Sequence, residues 1–257
     1  MKKQFIILLL ASVTLTGGCR KEEAPPPDEA APSGSVKLSF RHMVDAEPLV
    51  LGGPYRYTNA AGDSFLVNLY KYYISNIRLT DANGNSWAEP ESYHLVDDAS
   101  TASLSFTLSE VPPGTYTSMQ FMIGVDSARN CSGVQSGALD PLNGMFWTWN
   151  SGYIMAKFEG KSPSSTMPGN LVLFHIGGFG GDNATQRTVS PSFGASALVV
   201  SDNTTSEIRI DCNVNEWFRT PGIIDFSDMF SEVDPGYEAS LLADNYADMF
   251  TITAIIN

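Results

Sequence analysis

The sequence predicts an all-β protein: a single β-sandwich, of immunoglobulin-like or jelly-roll-like type, with one short C-terminal helix. Roughly ten short segments alternate apolar and polar residues, and turn residues separate them. Only residues 241–250 (LLADNYADMF) have a convincing helical pattern. Many short strands with one isolated helix are typical of two packed β-layers.

The N-terminus has the features of a targeting segment. Lys2 and Lys3 precede an apolar stretch, residues 5–13, that is too short to span a bilayer. Small residues then lead into Cys19, as in a bacterial lipoprotein signal, so we predict a signal peptide over residues 1–18 and lipidation of Cys19. The predicted location is the bacterial outer membrane, with the protein exposed to the periplasm or the cell surface. Ordinary secretion, with Cys19 cut away, is the alternative.

Residues 19–35 predict a lipidated flexible linker, because proline, alanine and acidic residues dominate and favour an extended chain. Residues 36–257 contain no second break in composition and no internal repeat. They predict a single domain that the linker holds away from the membrane.

The overall charge argues against two classes of partner. The chain has a net charge of −13, which disfavours binding to nucleic acid or to anionic lipid.

Motifs for catalysis are also missing: no G-x-S-x-G occurs, and the glycine-rich residues 177–181 do not open a predicted helix. The sequence therefore predicts a protein that is not an enzyme and whose only link to the membrane is its lipid anchor.

The strand predictions follow from alternation along the chain. Val36, Leu38, Phe40 and His42 share one face of a first strand. The start of residues 65–80 also fits a helical turn, and from Lys71 onward the pattern is that of a strand. Further strands are predicted over residues 93–97, 104–108, 117–125, 171–175, 197–200, 208–214 and 251–256.

Residues 145–158 form the most aromatic stretch, with two tryptophans two positions apart. In one continuous strand, Trp147, Trp149, Ser151, Tyr153 and Met155 lie on the same face. The other face is also apolar, which favours a central strand. The simplest interpretation of this stretch is an aromatic core strand.

Histidine and cysteine supply the candidate ligands. The three histidines, His42, His94 and His175, each lie in or at the end of a predicted strand. Neutral imidazole suits copper, zinc and nickel, although a lone histidine is more often a hydrogen-bonded core residue. Because an exported chain is in an oxidising compartment, we predict a disulfide between Cys131 and Cys212; two buried thiols or two soft metal ligands are the alternatives.

Several blocks together resemble the MbnP-like family of copper-binding proteins, which are linked to methanobactin and related copper handling. The resemblance covers nearly the whole chain from about Val36. The blocks are residues 40–42, 72–77, 93–97, 123–126, 139–160, 174–178 and 243–250.

This resemblance implies an extracytoplasmic β-sandwich that binds copper for acquisition or storage. Carried over by matching blocks, the metal ligands are His42, His94 and His175. A tryptophan oxidised to kynurenine contributes to the site in such proteins, and Trp147 or Trp149 matches it best; Trp87 and Trp217 are alternatives. The implied partner is a dihaem enzyme of the cytochrome c peroxidase type, which carries out that oxidation.

A second hypothesis is a metal-free surface protein that binds carbohydrate or another protein. The exposed part of the aromatic stretch would then stack against the ligand. The two hypotheses differ in whether Trp147 or Trp149 is accessible in a groove, since burial of both removes the stacking platform.

Overall fold

Two β-sheets pack against a shared aromatic core in the computed structural model, which describes residues 31–147 and 152–257. Within these residues the smaller sheet has five strands and the larger has eleven. The fold is all-β and sandwich-like, as the sequence predicts. Residues Pro32–Asn257 form one compact unit. The predicted signal peptide, Cys19 and most of the linker lie outside the described residues.

The smaller sheet has the order β16-β14-β1-β2, and β7 also pairs with β1. Its strands are Gly34–Val44 (β1), Glu47–Pro48 (β2), Ser105–Val111 (β7), Thr205–Asn213 (β14) and Phe250–Ile256 (β16). β1 runs parallel to β14 and antiparallel to β7. It is therefore bonded on both sides over much of its length.

The larger sheet has the order β12-β8-β4-β10-β11-β15, and five short strands join it at other points. Its bounds are Tyr57–Thr58 (β3), Ser64–Asp81 (β4), Ser86–Ala88 (β5), Tyr93–Asp97 (β6), Gly114–Ile123 (β8), Phe146–Trp147 (β9), Gly152–Lys161 (β10), Leu171–Gly177 (β11), Arg187–Val189 (β12), Leu198–Val200 (β13) and Ser231–Glu232 (β15).

The described helices are short. They are Ser127–Asn130 (α1) and Tyr237–Tyr246 (α2), with 3-10 turns at Thr101–Leu104, Gly137–Leu139, Pro141–Asn143, Pro168–Asn170 and Val214–Phe218. The predicted C-terminal helix is confirmed, although it begins earlier and ends before Phe250. Phe250 instead starts β16, where it pairs with Cys212 of β14. None of the helices in the described part of the chain is long and apolar enough to cross a membrane.

Aromatic side chains connect the two sheets. Phe40 of β1 and Phe250 of β16 both contact Tyr72 of β4, with ring centroids 6.3 and 5.5 Å apart. All three rings are buried, and edge-to-face pairs of this kind stabilise a core beyond the area that they bury. The face of β1 predicted to be apolar thus points into the core.

β4 is a strand from its first residue. Leu66 and Val67 pair with Lys161 and Gly160 of β10, so their backbone groups belong to a ladder and not to a helical turn. The spacing of apolar residues in this segment fits both a helical turn and a strand. The hydrogen bonds to β10 make it a strand.

The prediction of one continuous strand through both tryptophans is wrong. Trp147 pairs with Gly152, and Phe146 with Tyr153, in an antiparallel ladder. Trp147 and Tyr153 therefore belong to two neighbouring strands. Apolar and polar residues alternate with a period of two both in one long strand and in two paired antiparallel strands. Alternation alone therefore could not distinguish the two arrangements. Trp149 and Ser151 lie outside the described residues.

The predicted disulfide is also wrong, because Cys131 and Cys212 are both free thiols. Cys212 is buried on β14, and its Sγ lies 3.3 Å from the hydroxyl of Tyr70. Cys131 is exposed and follows α1. The oxidising compartment gives a reason to form a disulfide, but the fold holds one thiol inside the core and the other on the surface.

Candidate metal-binding site

His42 is buried in the core, and both of its ring nitrogens are hydrogen-bonded. Nδ1 lies 2.7 Å from Oδ1 of Asp98, and Nε2 lies 3.0 Å from the hydroxyl of Tyr72. Its side chain is fully shielded from solvent. A metal ion would reach this imidazole only after one of these bonds breaks.

His94 lies on β6 opposite Ile74, a core residue of β4. Its ring stacks on Phe106 of the smaller sheet, with centroids 3.6 Å apart and planes 3° apart. Its Nε2 is 2.8 Å from Oε2 of Glu89. His94 therefore faces the space between the sheets at their edge, and it is partly exposed.

His175 faces away from the core. It alternates on β11 with the buried Phe174 and Ile176, so it lies on the outer face of the larger sheet. Its Nε2 is 2.9 Å from Oε1 of Glu159, and Nζ of Lys157 is 3.3 Å from the same oxygen. Burial and then the charge of Lys157 lower the pKa of His175, against the opposing effect of Glu159. The neutral imidazole, which is the form that binds metals, is thereby favoured.

The structure does not bring the three histidines together. His42 and His94 lie on the inner side of the sandwich, whereas His175 lies on the outer face of the larger sheet. Over residues 31–147 and 152–257, no group of three or more histidine, cysteine, aspartate or glutamate side chains is arranged to hold a metal ion. Each histidine instead has its own carboxylate partner.

Trp147 lies on the same outer face as His175. Its indole packs against Gly177 so closely that an added Cβ at this glycine would lie 2.5 Å from Cζ3. Gly177 follows His175 by two positions on β11 and therefore shares its face. The structure thus places one predicted tryptophan against β11, two positions from one predicted histidine and on the same face.

A segment over residues 137–147, here called the cap segment, covers this part of the outer face. With β10 it forms a second hydrophobic cluster that includes Met145, Trp147 and Met155. The hydroxyls of Tyr73 and Tyr153 donate to the carbonyls of Ala138 and Leu139, at 3.1 and 2.8 Å. Because Trp147 is only 6% exposed, the cap segment leaves it little access to solvent.

A row of charged residues borders the cap segment. Strand register places His175 opposite Lys157, Lys157 opposite Lys71, and Lys71 opposite Asp97. Lys71 forms an ion pair with Asp97 at 2.9 Å. The two lysines also donate to cap-segment carbonyls, to Asn143 at 3.4 Å and to Gly144 at 3.3 Å. We call these residues together with Glu159 the ionic row.

The carboxylates that bind the histidines were not among the residues predicted from the sequence. The position of Glu159 could have been predicted in part, because it lies two positions after Lys157 and therefore shares its face of β10. Glu89 and Asp98 lie outside the predicted strands, so alternation could not place them beside His94 and His42.

The fold and its outer face define an all-β sandwich protein in which a tryptophan-bearing segment lies beside a histidine–carboxylate pair. A model of the MbnP family matches residues 33–235. Because this match spans most of the chain, the protein belongs to the MbnP family. The resemblance inferred from the sequence blocks is confirmed.

One solved structure has a similar fold. MbnP from Methylosinus trichosporium superposes with a TM-score of 0.55 and 16% sequence identity, over 86% of this chain and 99% of that chain. At this identity the similarity shows the fold alone. None of the curated proteins compared with the sequence matches it.

Proposed function

We propose that this protein is a non-enzymatic copper-binding lipoprotein used in copper acquisition or storage, with its copper site on the outer face at His175. The observation that supports the site is the packing of Trp147 on Gly177, two residues beyond His175. This contact brings together two of the sequence blocks that resemble the family, residues 139–160 with Trp147 and residues 174–178 with His175. Ligation by His42 and His94 stays a prediction.

The chemistry of His175 fits a metal ligand. When Nε2 carries the hydrogen and donates it to Glu159, the lone pair is on Nδ1, which has no hydrogen bond to another described residue. A carboxylate that binds the second ring nitrogen orients a ligating histidine and makes it a stronger donor. Nitrogen donors favour copper among the divalent first-row metals.

A modified tryptophan would supplement this single imidazole. Oxidation of indole to kynurenine replaces the indole ring nitrogen with an aryl amine and adds a ketone, which are donors that tryptophan lacks. At Trp147 these groups would lie on the same face as His175. We propose a dihaem enzyme of the cytochrome c peroxidase type as the oxidising partner, with Trp149 as the alternative target. The proposed location is an outer membrane, through lipidation of Cys19.

The metal-free hypothesis has less support. A stacking platform has to be accessible, whereas Trp147 is buried in the hydrophobic cluster of the outer face. The accessibility of Trp149 lies outside the described residues. We therefore do not favour a carbohydrate-binding function.

The test is a copper titration of the full chain against a competing chelator, before and after treatment with an oxidising dihaem partner. His175→Ala should lower copper affinity by at least about tenfold, the size of effect seen when support for a metal site is lost. His94→Ala, which also removes a partly exposed imidazole bound to a glutamate, separately tests the ligation predicted for His94. Equal affinities of His175→Ala and the unmodified sequence, in both states, would contradict the proposal.

A further inference from the structure

A chain of three hydrogen-bonded groups lies in the core, separate from the outer face. The hydroxyl of Tyr72 is 3.0 Å from Nε2 of His42, and Nδ1 of His42 is 2.7 Å from Oδ1 of Asp98. Tyr72 and the side chain of His42 are fully buried, whereas the Asp98 side chain is 15% exposed. This series of hydrogen bonds thus leads from the core toward solvent.

The partners fix the direction of the protons. An ionised carboxylate only accepts hydrogen bonds, so Nδ1 of His42 carries a hydrogen and donates it to Asp98. Nε2 then has the lone pair and accepts from the hydroxyl of Tyr72. Tyr72 therefore donates its proton to an imidazole that is itself hydrogen-bonded to a carboxylate.

No other fully buried tyrosine in the described residues donates to a base of this kind. Tyr73, Tyr153 and Tyr246 donate to backbone carbonyls, which are very weak proton acceptors. The hydroxyl of Tyr70 instead contacts the sulfurs of Cys212 and Met249 at 3.3 and 3.2 Å. The proton arrangement at Tyr72 is thus distinct within the described core.

Tyr72 is also in contact with Tyr70, a side chain that can lose an electron. Its ring centroid is 5.5 Å from that of Tyr70, which is 5.9 Å from the ring of Trp217. Nε1 of Trp217 donates to the hydroxyl of Tyr70 at 3.1 Å. The ring of Tyr70 therefore connects Tyr72 to Trp217 within the core.

We propose that Tyr72 is a redox-active tyrosine that holds one oxidising equivalent as a neutral radical. A strong one-electron oxidant, such as a high-potential transition-metal complex, takes one electron from Tyr72 and is itself reduced by one electron. The phenolic O–H bond breaks, and the proton moves to Nε2 of His42. The resulting imidazolium stays hydrogen-bonded to Asp98. Return of an electron to Tyr72 and of the proton from His42 restores the starting state.

Burial supports this coupling of proton and electron. Tyr72 is fully buried, so a phenolate would be an uncompensated negative charge in the core. An uncompensated cation radical is equally unfavourable in a low-dielectric core. Transfer of the proton to His42 leaves a neutral radical and a charge-assisted pair with Asp98.

The experiment is photochemical oxidation of the full metal-free chain with a ruthenium(III) tris-bipyridine oxidant generated by flash, followed by electron paramagnetic resonance. We expect a tyrosyl signal that is lost in Tyr72→Phe and kept in Tyr70→Phe. Tyr93→Phe is a further control, because Tyr93 is only partly buried and donates to the carboxylate of Asp126 outside the core. A tyrosyl signal that persists in Tyr72→Phe, or a radical only on tryptophan, would overturn the proposal.

A second variant separates a redox role from a structural one. Asp98→Asn keeps Tyr72 and His42 in place but withdraws the charge that supports the imidazolium. It should shorten the radical lifetime several-fold, whereas Asp182→Asn, at an exposed loop position, should not change it. Equal lifetimes in the two variants would show that the hydrogen-bonded chain serves folding alone.

Discussion

The indole of Trp147 occupies the space that a side chain at Gly177 would need. An added Cβ at Gly177 would lie 2.5 Å from Cζ3, 2.6 Å from Cη2 and 2.9 Å from the carbonyl oxygen of Tyr153. This glycine is therefore required by close packing between β11 and the cap segment. The contact is also the one on which the proposed copper site depends.

Gly177→Ala should displace Trp147 and destabilise the protein by about 1–3 kcal/mol, the usual cost of overpacking. Urea unfolding measures the change in the free energy of unfolding, and tryptophan emission reports the displacement. Gly180→Ala is the matched control, because no atom lies within 4 Å of its added Cβ. Similar stabilities of the two variants would show that the cap segment moves freely.

The pKa of His175 should be below its ordinary value of 6.5 in the metal-free protein. Burial is the main cause and the positive charge of Lys157 the second, so Lys157→Met should raise this pKa. Nuclear magnetic resonance titration of the imidazole measures it, and the signal is assigned by its loss in His175→Gln. Lys37→Met, in the smaller sheet, is the control; an equal shift in both variants would contradict the role of Lys157.

The same shift affects stability in a defined direction. Because the folded-state pKa of His175 is lowered, the unfolded chain binds more protons between the two pKa values, and stability falls as pH drops below about 6.5. The pKa of Glu159 is also lowered, against its burial, by the hydrogen bond from His175 and the charge of Lys157. Its contribution is present above its ordinary value of 4.5 and is lost as pH falls through the folded pKa. Thermal unfolding across this range should therefore show less loss in His175→Gln.

The two thiols of the domain should differ in reactivity. Burial raises the pKa of Cys212 to about 12, although hydrogen bonds with Tyr70 and Tyr72 oppose the shift. In a Cys19→Ser chain, a thiol reagent should label Cys131 alone under native conditions and both cysteines after unfolding. Absence of any labelling before reduction would instead indicate a disulfide.

Cys19→Ser should abolish incorporation of labelled fatty acid in the bacterial host and release the protein from the membrane fraction. Cys131→Ser should change neither property, since Cys131 belongs to the folded domain. Retention of the label by Cys19→Ser would exclude the proposed lipidation.

Alternation predicted the strands and the faces of their side chains, because a period of two is a local property. It placed Phe40 in the core, while a helical pattern placed the C-terminal helix near its observed position. It did not show that β1 pairs in parallel with β14, since the partners Ser35 and Thr205 are far apart in the chain.

The site was harder to predict for the same reason. The ionic row exists because β11, β10, β4 and β6 are neighbours in one register, and no local spacing contains that information. The family blocks indicated His175 and Trp147 as important residues. Trp147 can pack near His175 on the outer face only because residue 177 is glycine. A glycine contributes neither an apolar nor a polar side chain to the alternation, so the sequence pattern did not indicate this contact.

The central position of β1 has a mechanical consequence. The N-terminal linker runs directly into a strand that is bonded to β14 on one side and to β7 on the other. A pull through this tether acts along the strand axis, so it loads both ladders in shear instead of opening hydrogen bonds one by one. If Cys19 carries the proposed lipid, a domain attached in this way would resist extraction of β1 from its sheet under tension.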